Sequence, residues 1–254
     1  MMLDKITPLI LTFNEEANVE RLLAGLHWAT RIIVIDSGSS DATLAMLAAD
    51  PRVVVHHRPF DNHWNQWAFA IDQCDDGWIL RLDADYFVTQ ALVDEIVALR
   101  PDEDVAAYRI AFGYAMWGRV LPGSLYPANH ILFRMDKVRV VERGHTEGWE
   151  VTGKILPLRG RVIHDDRKPM AAFVAAQSRY MAHEATAVEN GKPGWASRLR
   201  RHPPLMVIAV FFYCLIVKRL IFAGPAGWMY VMQRVVAEGI LALTLLERRF
   251  QRKE

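Results

Sequence analysis

The first eighty residues switch between two hydrophobic periods. Ile6–Phe13 is an apolar run with Pro8 near its start, where a missing N–H is tolerated, and it reads as a buried strand. Asn14 is placed to cap a following helix, whose positive end suits Glu15 and Glu16. That helix carries Val19, Leu22, Leu23 and Leu26, the i, i+3, i+4, i+7 stripe of a buried face. Arg31–Ile35 is aliphatic after its first residue, the pattern of a parallel strand covered on both sides. It runs into the polar turn Asp36–Asp41, ahead of a helix over Ala42–Ala49. Val53–His57 predicts a third strand, Asn65–Gln73 a helix and Trp78–Leu82 a fourth strand. Repeated strand–helix units of this kind build an α/β fold around a parallel sheet with right-handed crossovers.

Ligands in such sheets bind beyond the carboxyl ends of the strands. Thr12, Asp36, Arg58 and Asp83 all fall at those ends. Asp83-Ala84-Asp85 places two carboxylates two residues apart at the mouth of a buried strand. That pair suits a hard divalent cation, Mg²⁺ or Mn²⁺, shared with substrate phosphates. Alone, the pattern equally describes two solvated acids in a turn. Four polar positions converging on one sheet edge favour a nucleotide-sugar site. There Asp36 would accept from a uracil N–H or a ribose hydroxyl, or else simply cap its turn. Arg58 would face a phosphate or solvent, and Glu15 would serve the site or only the start of its helix. The cation on Asp83 and Asp85 would bridge the diphosphate and stabilise it as it leaves.

Leu11–Val19, Val34–Thr43, His57-Arg-Pro-Phe60 and Leu80–Asp85 resemble, in this order, the motifs of family 2 glycosyltransferases of the GT-A fold. The subgroup most similar contains bacterial lipopolysaccharide-core β-1,4-glucosyltransferase-like proteins. The likeness continues through Leu132-Phe-Arg134, Gly144-His-Thr146 and His164–Lys168, covering roughly residues 5–190. It implies a Rossmann-like, mostly parallel sheet flanked by helices, and an inverting, metal-dependent transferase using a nucleotide sugar, commonly a UDP-sugar. It adds Asn14, Gln66 and Ala84 to the nucleotide-sugar-binding positions. It also offers His164 as a third metal ligand or phosphate contact, against the commoner structural role of a histidine at a strand end. The chain departs from the family at three places. Tyr86 follows Asp-x-Asp where an acid is frequent, Gln66-Trp67-Ala68 replaces Gln-x-Asn, and His145-Thr146 replaces His-Glu, with Glu147 one place later.

Residues 105–165 read as short strands and loops. Tyr114–Arg119 is aromatic, either an acceptor wall or core aromatics at a sheet edge. An inverting transfer needs a base for the acceptor hydroxyl. Glu147, beside His145, is the first candidate and Asp165 the second, and a plain salt bridge competes with either role. His145 and Arg167 are candidates for contacts to acceptor or phosphate. The expected division is a GT-A domain over residues 1–190, with a nucleotide half to about 100 and an acceptor half beyond it. A helical C-terminal segment follows over 191–254.

Charge separates that last segment from the rest. The chain of 254 residues is nearly neutral at +1, yet Trp195–Glu254 holds ten Lys/Arg against three Glu. Leu205–Val217 is uncharged, Lys218-Arg219 closes it, and the second apolar run, Leu220–Met232, is interrupted by Gly224-Pro-Ala-Gly227. Neither run reaches the ~20 residues of a spanning helix. Apolar runs rimmed by cations suit the surface of an anionic membrane, and a hairpin packing on the catalytic domain or forming a homodimer is the alternative. Two unrelated cysteines, Cys74 and Cys214, fit a reducing compartment, and strand one begins without a signal peptide. The expected setting is the bacterial cytoplasm, peripheral on the inner face of the membrane, with a glycan or lipid-linked acceptor and no nucleic-acid partner. Two other functions fit parts of the pattern. A sugar nucleotidyltransferase would need a Gly-rich basic loop where this chain has Thr-Phe-Asn-Glu-Glu, and a silent nucleotide-sugar or membrane-binding scaffold would not need the retained acids.

Overall fold

The computed structural model describes residues 2–143, 146–191, 194, 199–200 and 202–252, and the side chains of 142–147 lie outside this description. The chain divides into two compact units, residues 1–113 with 126–167, and residues 114–125 with 168–254. In space the division thus falls at 167/168, with a short loop exchanged, rather than near residue 190.

In the first unit, β1 (Ile6–Thr12), β2 (Ile32–Asp36), β3 (Val53–His57) and β4 (Trp78–Asp83) run parallel in the order β3–β2–β1–β4. Their side chains alternate between two cores, as the pleat requires. Ile10, Val34, Leu80 and Leu82 enter one, with Leu22 of α1 (Val19–Gly25) and Leu92 and Ile96 of α4 (Gln90–Ala98). Leu9, Ile33, Ile35 and Ile79 enter the other, with Trp67 and Ala70 of α3 (His63–Asp72). Trp149, from the antiparallel ribbon of β9 (Val138–Arg143) and β10 (Thr146–Val151), closes that second core. The inner strands β2, β1 and β4 are covered on both faces, which is why they are mostly aliphatic, whereas β3 at the sheet edge is half-exposed. A short helix α2 (Thr43–Ala48) joins β2 to β3.

Beyond β4 the sheet becomes mixed, in the order β4–β8–β6–β11–β5. β8 (Asn129–Arg134) runs antiparallel to β4 and to β6 (Val105–Met116), and β5 (Tyr86–Val88) antiparallel to β11 (Lys154–His164). Between β6 and β11 the described residues form no helix of crossover length, and strands joined without one pair antiparallel. One local expectation fails here. Asn14 does not cap α1. It sits at φ 53°, its amide donates to Ser39 Oγ (2.9 Å), and its Oδ1 accepts from the Ser40 amide (2.8 Å). Asparagine tolerates this left-handed backbone, so the chain turns once more before the helix begins at Val19.

The second unit is helical apart from a hairpin. Ala115 and Met116 at the end of β6 pair with β7 (Arg119–Val120) across a two-residue turn, Trp117-Gly118, both at positive φ. α5 (Met170–Glu189), α6 (Pro203–Phe212) and α7 (Gly224–Gln251) complete it, with a π-helical turn at Tyr213–Val217 and a 3₁₀ turn at Leu220–Ala223. Ala185 and Val188 pack on Leu241 and Leu245. Arg200 pairs with Glu184 and Glu238, and Arg248 with Glu189. The Gly-Pro pair does not interrupt the last apolar run. It starts a helix, because Pro225 in the first turn lacks an N–H that would have no partner there. Leu220–Gln251 is therefore long and apolar enough, by length and composition, to cross a membrane, although 39% of its most apolar window is buried within the protein.

Candidate donor and metal site

The parallel strands end in register, Thr12 opposite Asp36, Asp36 opposite His57, and Leu11 opposite Asp83. The polar edge expected from the sequence is therefore formed. Asp36 is fully buried there and shapes the loop that follows it. Its Oδ2 accepts from the amides of Gly38 (2.8 Å) and Ser39 (2.9 Å), and its Oδ1 from the hydroxyls of Ser39 and Thr12 (3.2 Å). Burial alone would raise its pKa, but these bonds outweigh burial and hold the carboxyl below its usual range. The loop's turn needs a glycine at Gly38, whose φ is 97°.

Two neighbouring loops are laced together beside it. The Glu15 amide donates to Thr43 Oγ1 (2.7 Å), the Glu16 amide to Asp41, and Glu16 Oε2 accepts from the Ala42 amide (3.0 Å). Gln66 is fully buried, and its Nε2 donates to Ser37 Oγ (3.0 Å) and to the Arg58 carbonyl (3.1 Å). Arg58 donates in turn to Gln66 Oε1 and pairs with Asp61 (2.9 Å). Arg58, expected to face either a phosphate or solvent, is thus held by two protein partners at the rim of the loop after β3.

Asp83 and Asp85 leave the end of β4, with Ala84 buried between them. Asp83 opens to solvent yet is crowded by protein, and that desolvation, followed by the Asp85 charge, raises its carboxyl. Asp85 Oδ2 lies 3.1 Å from His164 Nε2. Burial pushes the His164 imidazole down, but the Asp85 charge and hydrogen bond overcome it and leave the pKa raised. Two carboxylates and an imidazole are the donor chemistry of a hard divalent cation, and a cation would relieve the repulsion on Asp83. They are not a finished three-ligand cage: among the described residues no three His, Cys, Asp or Glu side chains are grouped to hold a metal by themselves. The His164 ring is instead turned to Asp85. Such a set suits an ion whose remaining ligands are phosphate oxygens and water.

Tyr86, in place of the frequent acid, is buried and meets Phe112 (5.1 Å) and His164 (5.6 Å). Tyr126 covers the other side of His164 at 4.9 Å. This aromatic wall fixes the imidazole, and nothing in the local pattern around Tyr86 announced it.

Asp165 is almost fully buried. Its Oδ2 accepts from Arg21 (2.9 Å) and Arg167 (3.0 Å), while its carbonyl accepts from Arg21. The Asp165 carboxylate is thus engaged by two guanidinium groups, the salt bridge that competes with a role as base. Asn18 joins the same cluster, donating to Glu15 Oε2 (2.8 Å) and Asp166 Oδ1 (3.2 Å) and accepting from Arg21 and the Arg167 amide (3.3 Å). Asn18 and Arg21 were not among the expected site residues. The Glu147 side chain and His145 lie outside the described residues, although β10 itself is positioned by Trp149. Arg81, buried in β4, lies 4.3 Å from the Trp149 ring and 5.2 Å from Trp67. A cation inside an aliphatic strand was the sequence signal that could have revealed it.

Comparison with known proteins identifies the family. The profile of glycosyl transferase family 2 matches residues 9–160. The chain belongs to that family and has its GT-A fold. It is 26% identical to the lipopolysaccharide core biosynthesis glycosyltransferase LpsC of Rhizobium meliloti (strain 1021), across 96% of this chain and 92% of that one. An uncharacterized glycosyltransferase of Rickettsia prowazekii (strain Madrid E) is 33% identical across 74% of this chain and 70% of its own length. A crystal structure of S. aureus TarS residues 1–349 with UDP-GlcNAc superposes with a TM-score of 0.48 at 13% identity, covering 97% of this chain and 92% of that one.

Proposed function

We propose that this transferase moves a sugar from a nucleoside-diphosphate donor, a UDP-sugar first among them, onto a bacterial surface glycan, with inversion at the anomeric carbon. The acceptor is the lipid-linked saccharide of a lipopolysaccharide core, met at the inner face of the cytoplasmic membrane. The observation that carries the reading is the shared edge of four parallel strands, where Asp83 and Asp85 stand beside the loops organised by Asp36 and Gln66. The name of the LpsC relative supports the choice of glycan.

In this reading the loops at Asn14–Glu16 and Ser37–Asp41 receive the nucleoside. Thr12 and Asp36 act by holding the second of these in shape. Gln66 orients Arg58 toward the diphosphate, and Arg167 supplies a second cation. Asp83 and Asp85 hold the divalent ion, with His164 steadying Asp85. When bound, the ion supplies positive charge to the departing diphosphate. Glu147 takes the acceptor proton, with His145 beside it. Calorimetric titration with UDP and other nucleoside diphosphates, with and without Mn²⁺, tests the donor half. Binding should need the ion, and Asp85→Ala should lose both binding and transfer while the chain stays folded, its melting lowered only by the loss of the His164 contact. Turnover that survives both EDTA and Asp85→Ala overturns the metal assignment.

A further inference from the structure

The second unit presents a surface that the catalytic reading leaves unused. Leu205, Ile208, Phe212 and Ile216 form one exposed stripe along α6 and the turn after it, at 52–61% exposure. Phe222, in the next turn, is 84% exposed. The hairpin Trp117–Val120 borders the same region. Arg119, Val120 and Pro122 line an open notch together with Arg219, Phe222 and Ala226. The hairpin is fastened, not loose. Tyr230 is fully buried, stacks edge-on against Tyr114 at 4.7 Å, and its hydroxyl oxygen accepts from the Leu125 amide (2.8 Å). Gly123 lies so near the Lys218 carbonyl that a Cβ there would stand 3.0 Å from it. At its tip Trp117 is 57% exposed and held at φ 53°, a backbone that bulky residues rarely adopt. Arg219, also exposed, is held at φ 57°.

We infer that this surface, Trp117–Pro122 with Leu205–Met232, is an interfacial docking face for an anionic phospholipid bilayer, lying in the headgroup layer without crossing it. The inference rests on the proposed membrane-side acceptor and says which residues meet the lipid. Charge complementarity selects the occupant. Neither segment contains an Asp or Glu, and their charges are Arg119, Lys218 and Arg219. Phosphate headgroups answer these cations, whereas a second copy packed face to face would set like charges together. An exposed Trp beside aliphatic side chains suits the interfacial zone. Crossing is disfavoured by the other face of α7. Glu238 binds Arg200, and Arg248 binds Glu189 on α5, so that helix is tied along its length to polar partners. Two residues of the C-terminal segment face away from the lipid: Leu215 packs inward, and Arg200 is engaged by carboxylates.

The test is flotation of the full chain with phosphatidylglycerol-containing and pure phosphatidylcholine vesicles, at low and high salt. The anionic vesicles should bind more protein, less so as salt rises. Arg119→Gln with Arg219→Gln should weaken that binding by about fivefold per cation removed. Phe222→Ser with Ile208→Ser should weaken binding to both vesicle types. All variants should keep wild-type melting curves and donor hydrolysis. Equal binding to both vesicle types, unchanged binding in both double variants, resistance to alkaline carbonate extraction, or a lipid-free dimer broken by Phe222→Ser would each overturn the inference. Donor hydrolysis is read separately, so a dead enzyme that still floats indicts the proposed function and leaves the docking face intact.

Discussion

Replacing Asp36 by asparagine separates loop shaping from direct contact with a nucleotide. The buried carboxylate accepts from two backbone amides and two hydroxyls. Asparagine has one oxygen. Turned toward the Gly38 and Ser39 amides, that oxygen keeps both bonds as neutral ones, and the hydroxyls of Thr12 and Ser39 must rotate to accept from its NH₂. Hydrogen bonds to a charged group contribute about 1.5–3 kcal/mol against about 0.5–1.5 for neutral ones, so four bonds lose about 4–6 kcal/mol together. For a chain of this size that lowers Tm by about 8–24 °C. Calorimetry without ligand should show the drop, and UDP titration should show weaker binding because the loop is no longer held. The sign with pH follows from the lowered carboxyl. Its stabilisation is present above the ordinary carboxylate pKa and is lost as pH falls through the folded value, so wild type and variant should converge in acid. An unchanged Tm with lost nucleotide binding would refute the loop account and make Asp36 a direct contact.

Three further outcomes follow from the same geometry. Arg81→Met removes both aromatic contacts and should cost about 2–4 kcal/mol in denaturant melts. It should also lower kcat more than it raises the donor KM, because the ribbon it clamps carries Glu147; equal kcat would sever that link. Asp165→Asn should destabilise by about 2–3 kcal/mol, since Arg21 and Arg167 are only partly buried, whereas Glu147→Gln should leave Tm alone and slow turnover about 10²–10⁴-fold. The opposite pattern, a normal rate in Glu147→Gln, would remove Glu147 from the base role. Tyr230→Phe leaves the Leu125 amide without its acceptor and should cost about 1–2 kcal/mol by chemical denaturation; a neutral result would mean the hairpin is held by packing alone.

The parallel half of the sheet was legible from the chain because its information is local. The unbroken aliphatic run Ile32–Ile35, and the apolar run Trp78–Leu82 with its single cation, read as strands covered on both sides, and their polar ends then gather at one edge. Thr12, Asp36 and Asp83 were found that way, and the third strand was read at its observed limits, Val53–His57. Asp83 and Asp85 were legible as a pair for the same reason, since two residues of spacing bring them together whatever the rest of the chain does.

Tertiary structure alone decided what each polar group touches. Asn18 meets Asp166, and Arg21 meets Asp165, only because the sheet returns β11 beside β5 and brings the segment after it to α1. That closure gave Asp165 its two arginine partners, and it turned His164 toward Asp85. Arg58 likewise found Asp61 and Gln66, and Asn14 found the Ser39–Ser40 loop in place of a helix cap. The last helix shows the same limit from the other side. Gly224-Pro225 reads from the sequence as a break in the apolar run, and in the structure it is where α7 starts. Periodicity therefore determined which residues are inside and which edge is polar. The partners of a side chain, and hence its chemistry, depended on which loops and strands the fold brings together, at separations from three residues for Arg58 and Asp61 to 144 for Arg21 and Asp165, which the hydrophobic pattern does not encode.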